Sequence, residues 1–269
     1  MHFFICFIKI KYDFRHRIIR KVLKKERQAL ILHQVSLHNT VLSTDLSISM
    51  QVSEDTIRRD LIELSEQDKI IKVHGGALSK SFHSFFLRSD VYHADSKKII
   101  AEKAVSLIED GMFILTGGGT TIIEMARQLP KELNATFFTC SIPAAYEYSH
   151  HPNIEVIFIG DKIAKKSQIA VGGEAINKIK QLKVDLCFLG INAIDLEHGV
   201  TDNDWDIVQL KKAMMNSSAK TIVLTISEKL NSYQRIRICG VQELDILITE
   251  KDPTDPLLVP FINKNLTIL

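Results

Sequence analysis

Apolar and polar residues follow two rhythms along this chain, and the change of rhythm divides it. Residues 24–36 read KKERQALILHQVS, which sets Ala29, Leu30, Leu32 and Val35 among polar residues at roughly helical spacing. Residues 43–50, STDLSISM, predict a second short helix with Ser43 as its N-cap. A third helix follows Ser53, a good N-cap, with Glu54 and Asp55 suited to the positive end of the helix dipole. Ile57, Leu61 and Leu64 fall at i, i+4 and i+7, which makes one buried stripe. Residues 69–74, KIIKVH, predict a strand ended by Gly75 and Gly76. Three helices followed by a basic hairpin is the order of a winged helix-turn-helix.

From about residue 110 short apolar runs alternate with helical patterns. Strands are predicted over 112–115, 135–139, 154–159, 184–189, 221–226 and 244–249, and helices over 121–129, 144–149 and 204–216. Such alternation implies a mostly parallel sheet covered on both faces. The expected fold class is therefore α/β: a small N-terminal winged helix-turn-helix domain, then a larger α/β domain with a mostly parallel, Rossmann-like sheet. The expected boundaries are an unstructured extension over 1–21, the winged helix-turn-helix over 22–77, a linker over 78–95 and an effector-sensing domain over 96–269.

Charge sharpens this division. The net charge is only +2, but residues 1–80 carry 14 Lys/Arg against 9 Asp/Glu, while residues 81–269 carry 20 against 23. A basic front end suits contact with a phosphate backbone, and equally suits a solvated surface. Cys6, Cys140, Cys187 and Cys239 are scattered, with no Cys-x-x-Cys and no His at metal spacing. No metal site, disulfide framework or cofactor is expected, and a reducing cytoplasm fits. The apolar run over 3–8 is far shorter than the ~18 residues of a membrane span and lacks the flanks of a signal peptide, so no membrane partner is expected.

On the third helix Arg59 projects almost opposite the apolar stripe, flanked by Thr56 and Arg58. A helix so arranged can enter a major groove, where Arg pairs with guanine. It can also be a surface helix whose arginines pair with Asp55, Asp60 and Glu63. The run from Val52 to Leu61, VSEDTIRRDL, followed by VHGGA over 73–77, resembles the DNA-binding signature of the DeoR family of bacterial regulators. The resemblance implies DNA contacts from Ser53, Thr56, Arg58, Arg59, Lys72 and the turn of His74, Gly75 and Gly76. It also shows two departures: Asp68 stands where the family usually has Gly, and Lys72 where it usually has Arg. Lysine reaches a phosphate as a point charge but forfeits the planar fork.

The second motif, LTGGGTT over 115–121, runs from a strand into a helix. Glycines let a backbone approach an anion, and a helix start offers free N–H groups. The motif is neither a Walker loop nor G-x-G-x-x-G, and a tight strand–helix turn would read the same. The family resemblance extends over roughly residues 24–250, and its effector domain is similar to sugar-phosphate isomerases. It implies a phosphate on Gly119, Thr120 and Thr121, with Gly118, Ser141, Gly190, Asn192, Lys211 and Lys229 around the ligand. Lys97 falls in a further matching block. The family commonly has Asp at Gly117, Asn at Cys140, Gly at Asp161 and Asp at Ile226. Three of these changes are expected to remove polar groups from strand ends facing the pocket, and Asp161 to add a carboxylate there.

The expected function is a DNA-binding transcriptional repressor controlled by a small phosphorylated metabolite, a sugar phosphate by the resemblance. Its expected partners are duplex DNA, that small anion and further copies of itself, as a dimer or tetramer, because one subunit reads few bases. Two alternatives stand beside it. One is a sugar-phosphate isomerase with an appended DNA-binding domain, for which Asp195, Asp202 and Asp204 are the available carboxylates. The other is an interaction module whose sheet domain only oligomerises.

Overall fold

A computed structural model describes residues 23–38, 40–79, 93–262 and 266–269 of the chain. The expected extension over 1–21 and most of the expected linker lie outside these residues. The chain forms two compact units, one of Met1–Val35 and Thr40–Leu78, the other of Ser36–Asn39 and Ser79–Leu269.

Unit 1 holds helix α1 (Lys24–His38) as far as Val35, strand β1 (Thr40–Leu42), helices α2 (Ser43–Met50) and α3 (Glu54–Glu66), and strands β2 (Ile70–Val73) and β3 (Gly76–Ser79), which runs on to the boundary. The three strands form a small sheet with β3 between β1 and β2. Gly76 is required there, because a Cβ at this position would stand 2.0 Å from the Val41 carbonyl oxygen. Ile57, Leu61 and Leu64 are buried as their spacing predicts, and they pack with Leu46, Val41 and Ile70. Two local expectations fail. Of the expected α1 stripe, Val35 is buried and Leu32 packs against the core, but Ala29 and Leu30 are exposed and Ile31 is buried instead. Ser43 is not the α2 N-cap: it is the first helical residue, buried, and its N–H donates to the Gly75 carbonyl at 2.8 Å.

Unit 2 opens with helix α4 (Ala94–Val105). Strand β4 (Phe113–Thr116), helix α5 (Thr120–Arg127), strand β5 (Thr136–Thr139), helix α6 (Ile142–Tyr148) and strand β6 (Glu155–Phe158) then follow the expected alternation within a few residues. A hairpin of β7 (Lys162–Ala164) and β8 (Ile169–Val171) and helix α7 (Gly173–Ile179) come next. Strands β9 (Val184–Gly190), β10 (Ala193–Asp195) and β11 (Gly199–Asp202) precede helix α8 (Trp205–Asn216). Strands β12 (Ser218–Leu224), β13 (Ile236–Cys239), β14 (Ile246–Ile248) and β15 (Thr267–Ile268) complete the unit. Neither the β7–β8 hairpin nor the small β10–β11–β13 sheet was expected from the apolar pattern.

The main sheet has the order β15-β14-β12-β9-β4-β5-β6, with all its pairings parallel. The chain winds outward from β4 through β5 to β6, then returns to β9 and winds the other way. The reversal falls between β4 and β9, and in open α/β sheets such a crossover leaves a crevice at the carboxyl ends of the two strands. Helices α4, α5 and α6 contribute to the core on one face of the sheet, and α7 and α8 to the core on the other.

Candidate functional site

In unit 1 the α3 side chains differ in what they are bound to. Ser53 caps the helix: its Oγ accepts from Thr56 N–H at 3.3 Å and lies 2.8 Å from Thr56 Oγ1. Arg58 pairs with Glu54 at 3.0 Å and Asp55 at 3.7 Å. The other acids that could hold an arginine on this helix are engaged from α1. Asp60, 1% exposed, binds the Arg27 guanidinium, with Nη2 3.2 Å from its Oδ1. Glu63 accepts from Lys24 at 2.6 Å and from Gln28 at 2.9 Å. Arg59 is exposed and makes no hydrogen bond or ion pair among the described residues. Lys72, His74 and Gly75 are exposed as well, the last with φ +74, a left-handed turn that favours glycine. Asp68 has φ +61, which accounts for the glycine expected there, since Asp tolerates this region at a cost.

In unit 2 the glycine motif lies at the β4–β9 crossover. Gly119 has φ +113 with open space where a side chain would stand, and α5 begins at the next residue. The Gly117 N–H donates to the Phe188 carbonyl at 2.9 Å and ties the loop to β9, while the N–H groups of residues 118–122 have no partner among the described residues. Gly190 touches the same loop, because a Cβ there would lie 2.7 Å from the Gly118 carbonyl oxygen. A Cβ on Gly118 would come 2.7 Å from Ile169 Cδ1 and 3.2 Å from Ser141 Oγ. Ser141 is therefore beside the loop, though its hydroxyl caps α6 by accepting from Ala144 N–H at 3.3 Å.

A charged cluster hangs on the segment that follows Gly190. The Lys229 ammonium donates to the Ile191 carbonyl at 2.8 Å. Asp202 accepts from Lys211 at 3.0 Å and from the Asn192 amide at 3.2 Å through one oxygen. Its other oxygen accepts from the N–H groups of Asn203 at 2.8 Å and Asp204 at 3.3 Å. Burial acts to raise the Asp202 carboxyl, but Lys211 beside it and these N–H donors outweigh burial and hold it below the usual range. Burial pushes Lys97 of α4 down to about 8. It pushes Lys229 down to about 7, with the positive charges of Lys97 and Lys211 adding to burial and Asp202 opposing it.

The structure thus gathers Gly118, Gly119, Thr120, Thr121, Ser141 and Gly190 around the loop, and Asn192, Lys211 and Lys229 in the adjoining cluster. Asp202 and Lys97 complete that cluster. Lys97 stands in step with Ile100, Ala101 and Ala104, a lysine inside an apolar helical stripe, which is the signal that betrays it. Three expectations about the strand ends need correction. Cys140 (0% exposed) and Ile226 (3%) belong to the hydrophobic cores on the two sides of the sheet, so their apolar character serves packing. Asp161 adds no carboxylate to the site. Its Oδ2 accepts from Ala175 N–H at 3.1 Å in the first turn of α7, and its Oδ1 from Lys162 N–H at 2.6 Å.

Comparison with known proteins agrees with the two-unit layout. The DeoR-like helix-turn-helix domain model matches residues 27–82, and the DeoR C terminal sensor domain model matches residues 92–251. The chain is similar to the HTH-type transcriptional repressor GlcR of Bacillus subtilis, at 31% identity over 86% of this chain and 90% of that protein. It is similar to the L-fucose operon activator of Escherichia coli, at 30% identity over 85% of this chain and 96% of that one. It is similar to the HTH-type transcriptional regulator GlpR of Haloferax volcanii, at 31% identity over 85% and 91%. Among solved structures there is a distant likeness to ribose 5-phosphate isomerase a from Methanocaldococcus jannaschii, with TM-score 0.39 and 20% identity, over 52% of this chain and 55% of that one.

Proposed function

Because the chain belongs to the DeoR family of transcriptional regulators, with a DNA-binding helix-turn-helix domain and a sensor domain for a small effector, we propose which residues do each task. Helix α3 enters the major groove. Arg59 reads a base edge, as its lack of a partner among the described residues leaves it able to do, and Arg58, Ser53 and Thr56 hold the adjacent phosphates. Lys72, His74 and Gly75 form a wing that adds phosphate contact. In the sensor domain a phosphorylated small molecule, a sugar phosphate, rests its phosphate on the N–H groups and hydroxyls of residues 118–121. Ser141, Gly190, Asn192, Lys211 and Lys229 surround the rest of it. The chain acts in the cytoplasm as a repressor and as at least a dimer, since paired half-sites need two recognition helices.

One observation carries the effector reading: the run of unpartnered N–H groups over 118–122, at the sheet's crossover and beside a lysine cluster. Any helix start leaves its first N–H groups open, so it is their place at the crossover, beside glycines and the lysine cluster, that favours an anion over a plain turn. An isomerase is disfavoured by the same geometry. Asp202 spends both oxygens on four donors, and Gly117 offers no carboxylate in its place.

The test is a DNA-binding titration with and without a panel of phosphosugars. It compares wild type with a variant carrying Thr120→Val and Thr121→Val. A ligand that couples to DNA shifts wild-type affinity by roughly 5–150-fold. The double variant keeps DNA binding and loses that response. An equal shift in both would make the loop a structural turn.

A further inference from the structure

On α3 the residues turned away from the core form a line of their own. Ile57, Asp60, Leu61 and Leu64 are the buried set. At about 100° per residue, the positions opposite them are Asp55, Arg59, Ile62 and Glu66. All four are exposed. Helix α1 holds the flank of Asp60 and Glu63 through Arg27, Lys24 and Gln28, to one side of this line.

Charge occupies every place on the line but one. Asp55 has Arg58 at 3.7 Å to offset it, and Arg59 has no partner among the described residues. Glu66 ends the helix. Ile62 is the exception, 43% exposed and outside the apolar cluster that holds the unit together. A single apolar side chain on an ordinary surface needs no explanation. This one shares the outward face of Arg59 in a DNA-binding domain. Water favours a polar residue at such a place, and a β-branched residue also forms helix less readily than Leu, Lys or Glu. Neither solvation nor helix propensity accounts for isoleucine, whereas an apolar contact on that face does.

We infer that Ile62 is a specificity-determining residue that reads the 5-methyl group of a thymine next to the base pair read by Arg59. The inference rests on the proposal that α3 enters the major groove. In that groove a methyl group marks thymine, and apolar contact recognises it. The rise from Arg59 to Ile62 is about 4.5 Å, against about 3.4 Å between base pairs, so the two side chains meet neighbouring pairs when the helix lies along the groove. They point about 60° apart around the helix, close enough to face the same groove floor. The branched side chain is stiff at χ1, so it loses little rotamer freedom on contact. Glu66 lies one turn further on, where phosphates repel its carboxylate, so the apposed stretch ends at Ile62.

The test removes the methyl group alone. Selection of duplexes from a randomised pool by the full chain identifies the preferred base pairs, and deoxyuridine then replaces thymidine at each of them. The wild type is expected to enrich thymine beside the guanine whose preference Arg59→Ala abolishes. Uracil at that thymine should weaken wild-type binding about fourfold per methyl removed, the effect of losing one methyl-sized apolar contact. Ile62→Ala should bind the thymine and uracil duplexes equally and keep the guanine preference. Ile62→Val, which retains a branched apolar end, should keep most of the discrimination. Because the uracil comparison on the wild type requires no variant, a poorly folding substitution does not remove the test. Equal wild-type affinity for the thymine and uracil duplexes overturns the inference and leaves α3 in the groove. Discrimination that persists in Ile62→Ala places the methyl contact on another side chain, such as the exposed Ile48 of α2, and overturns the assignment. Uniform affinity for every duplex overturns the proposed role of α3 and this inference with it.

Discussion

The two units place charge in opposite environments. On α3 and the turn after β2, the basic groups Arg59, Lys72 and His74 stand in solvent, and Arg59 has no partner among the described residues. In unit 2, Lys97, Lys211 and Asp202 are buried, Lys229 beside them is half-buried, and Lys229 feels the charges of the other three. Solvent-exposed charge is screened within about a Debye length and costs little to keep, so it suits a polyanion that arrives from outside. Enclosed charge interacts through a lower effective dielectric, so it responds to one added anion or one added proton. The same residue type, lysine, is thus a phosphate-facing point charge at position 72 and a titratable element at position 229.

Removing a partner exposes the difference most sharply. Lys211→Ala leaves Asp202 buried with its main counter-charge gone, and should destabilise unit 2 by about 3–5 kcal/mol in urea unfolding. Lys72→Ala should stay within about 0.5 kcal/mol in the same experiment. If the two substitutions cost the same, the contrast between the units fails. The functional counterpart is Arg59→Ala. It should lose about 1–3 kcal/mol of discrimination between an operator and a scrambled duplex, read by fluorescence anisotropy at fixed salt. Lys72→Ala should weaken both duplexes alike.

A pH titration separates the units again. The Lys229 ammonium is held at about 7, below the ordinary lysine value of 10.5, so above pH 7 the folded state binds fewer protons than the unfolded state. Stability of ligand-free unit 2 should therefore rise with pH between 7 and 8.5, by about 1 kcal/mol per unit. It should be lowest once pH falls below 7, where the penalty of a buried ammonium is complete. Lys97, held at about 8, adds to the rise at the upper end of that window. Thermal melts of Lys229→Met should show a much flatter profile, and an unchanged slope would remove Lys229 as its source. The smallest expected effect lies in unit 1. Asp68→Gly relieves a left-handed backbone at φ +61 and should stabilise the domain by about 0.5 kcal/mol, as a small shift in denaturation midpoint with DNA affinity unchanged.

Unit 1 was largely legible in the sequence because its signals are local. Ser53 caps α3 and Ile57, Leu61 and Leu64 are buried, since both features depend on residues a few positions apart on one helix. Where the local signal was thin, the reading slipped. In α1 the stripe was set on Ala29, Leu30, Leu32 and Val35; Val35 is buried and Leu32 packs against the core, but Ile31 is buried where Ala29 and Leu30 are exposed, because four neighbouring apolar residues leave the buried face undefined until a partner packs against it. In unit 2 the alternating strands were legible for the same local reason, whereas β7, β8, β10 and β11 are too short to carry a pattern.

The sequence alone determined the order of elements, the change from a helical unit to a parallel sheet, and the glycine loop at the end of β4, because each follows from periodicity or from a residue with unusual backbone freedom. Only the tertiary structure decided which charges meet. Lys97, Asp202, Lys211 and Lys229 span more than a hundred residues of chain, and no spacing rule relates them. Tertiary packing also gave Asp60 to Arg27 and Glu63 to Lys24, which leaves Arg59 without a partner among the described residues on a helix whose own sequence offers it acids on either side. It bound Asp161 to the first turn of α7 and sank Cys140 and Ile226 into the core. The physical reason is common to all of these. Backbone propensity and apolar period act over a few residues, whereas ion pairing and desolvation depend on distance in space, which exists only once the sheet has brought the ends of its strands together.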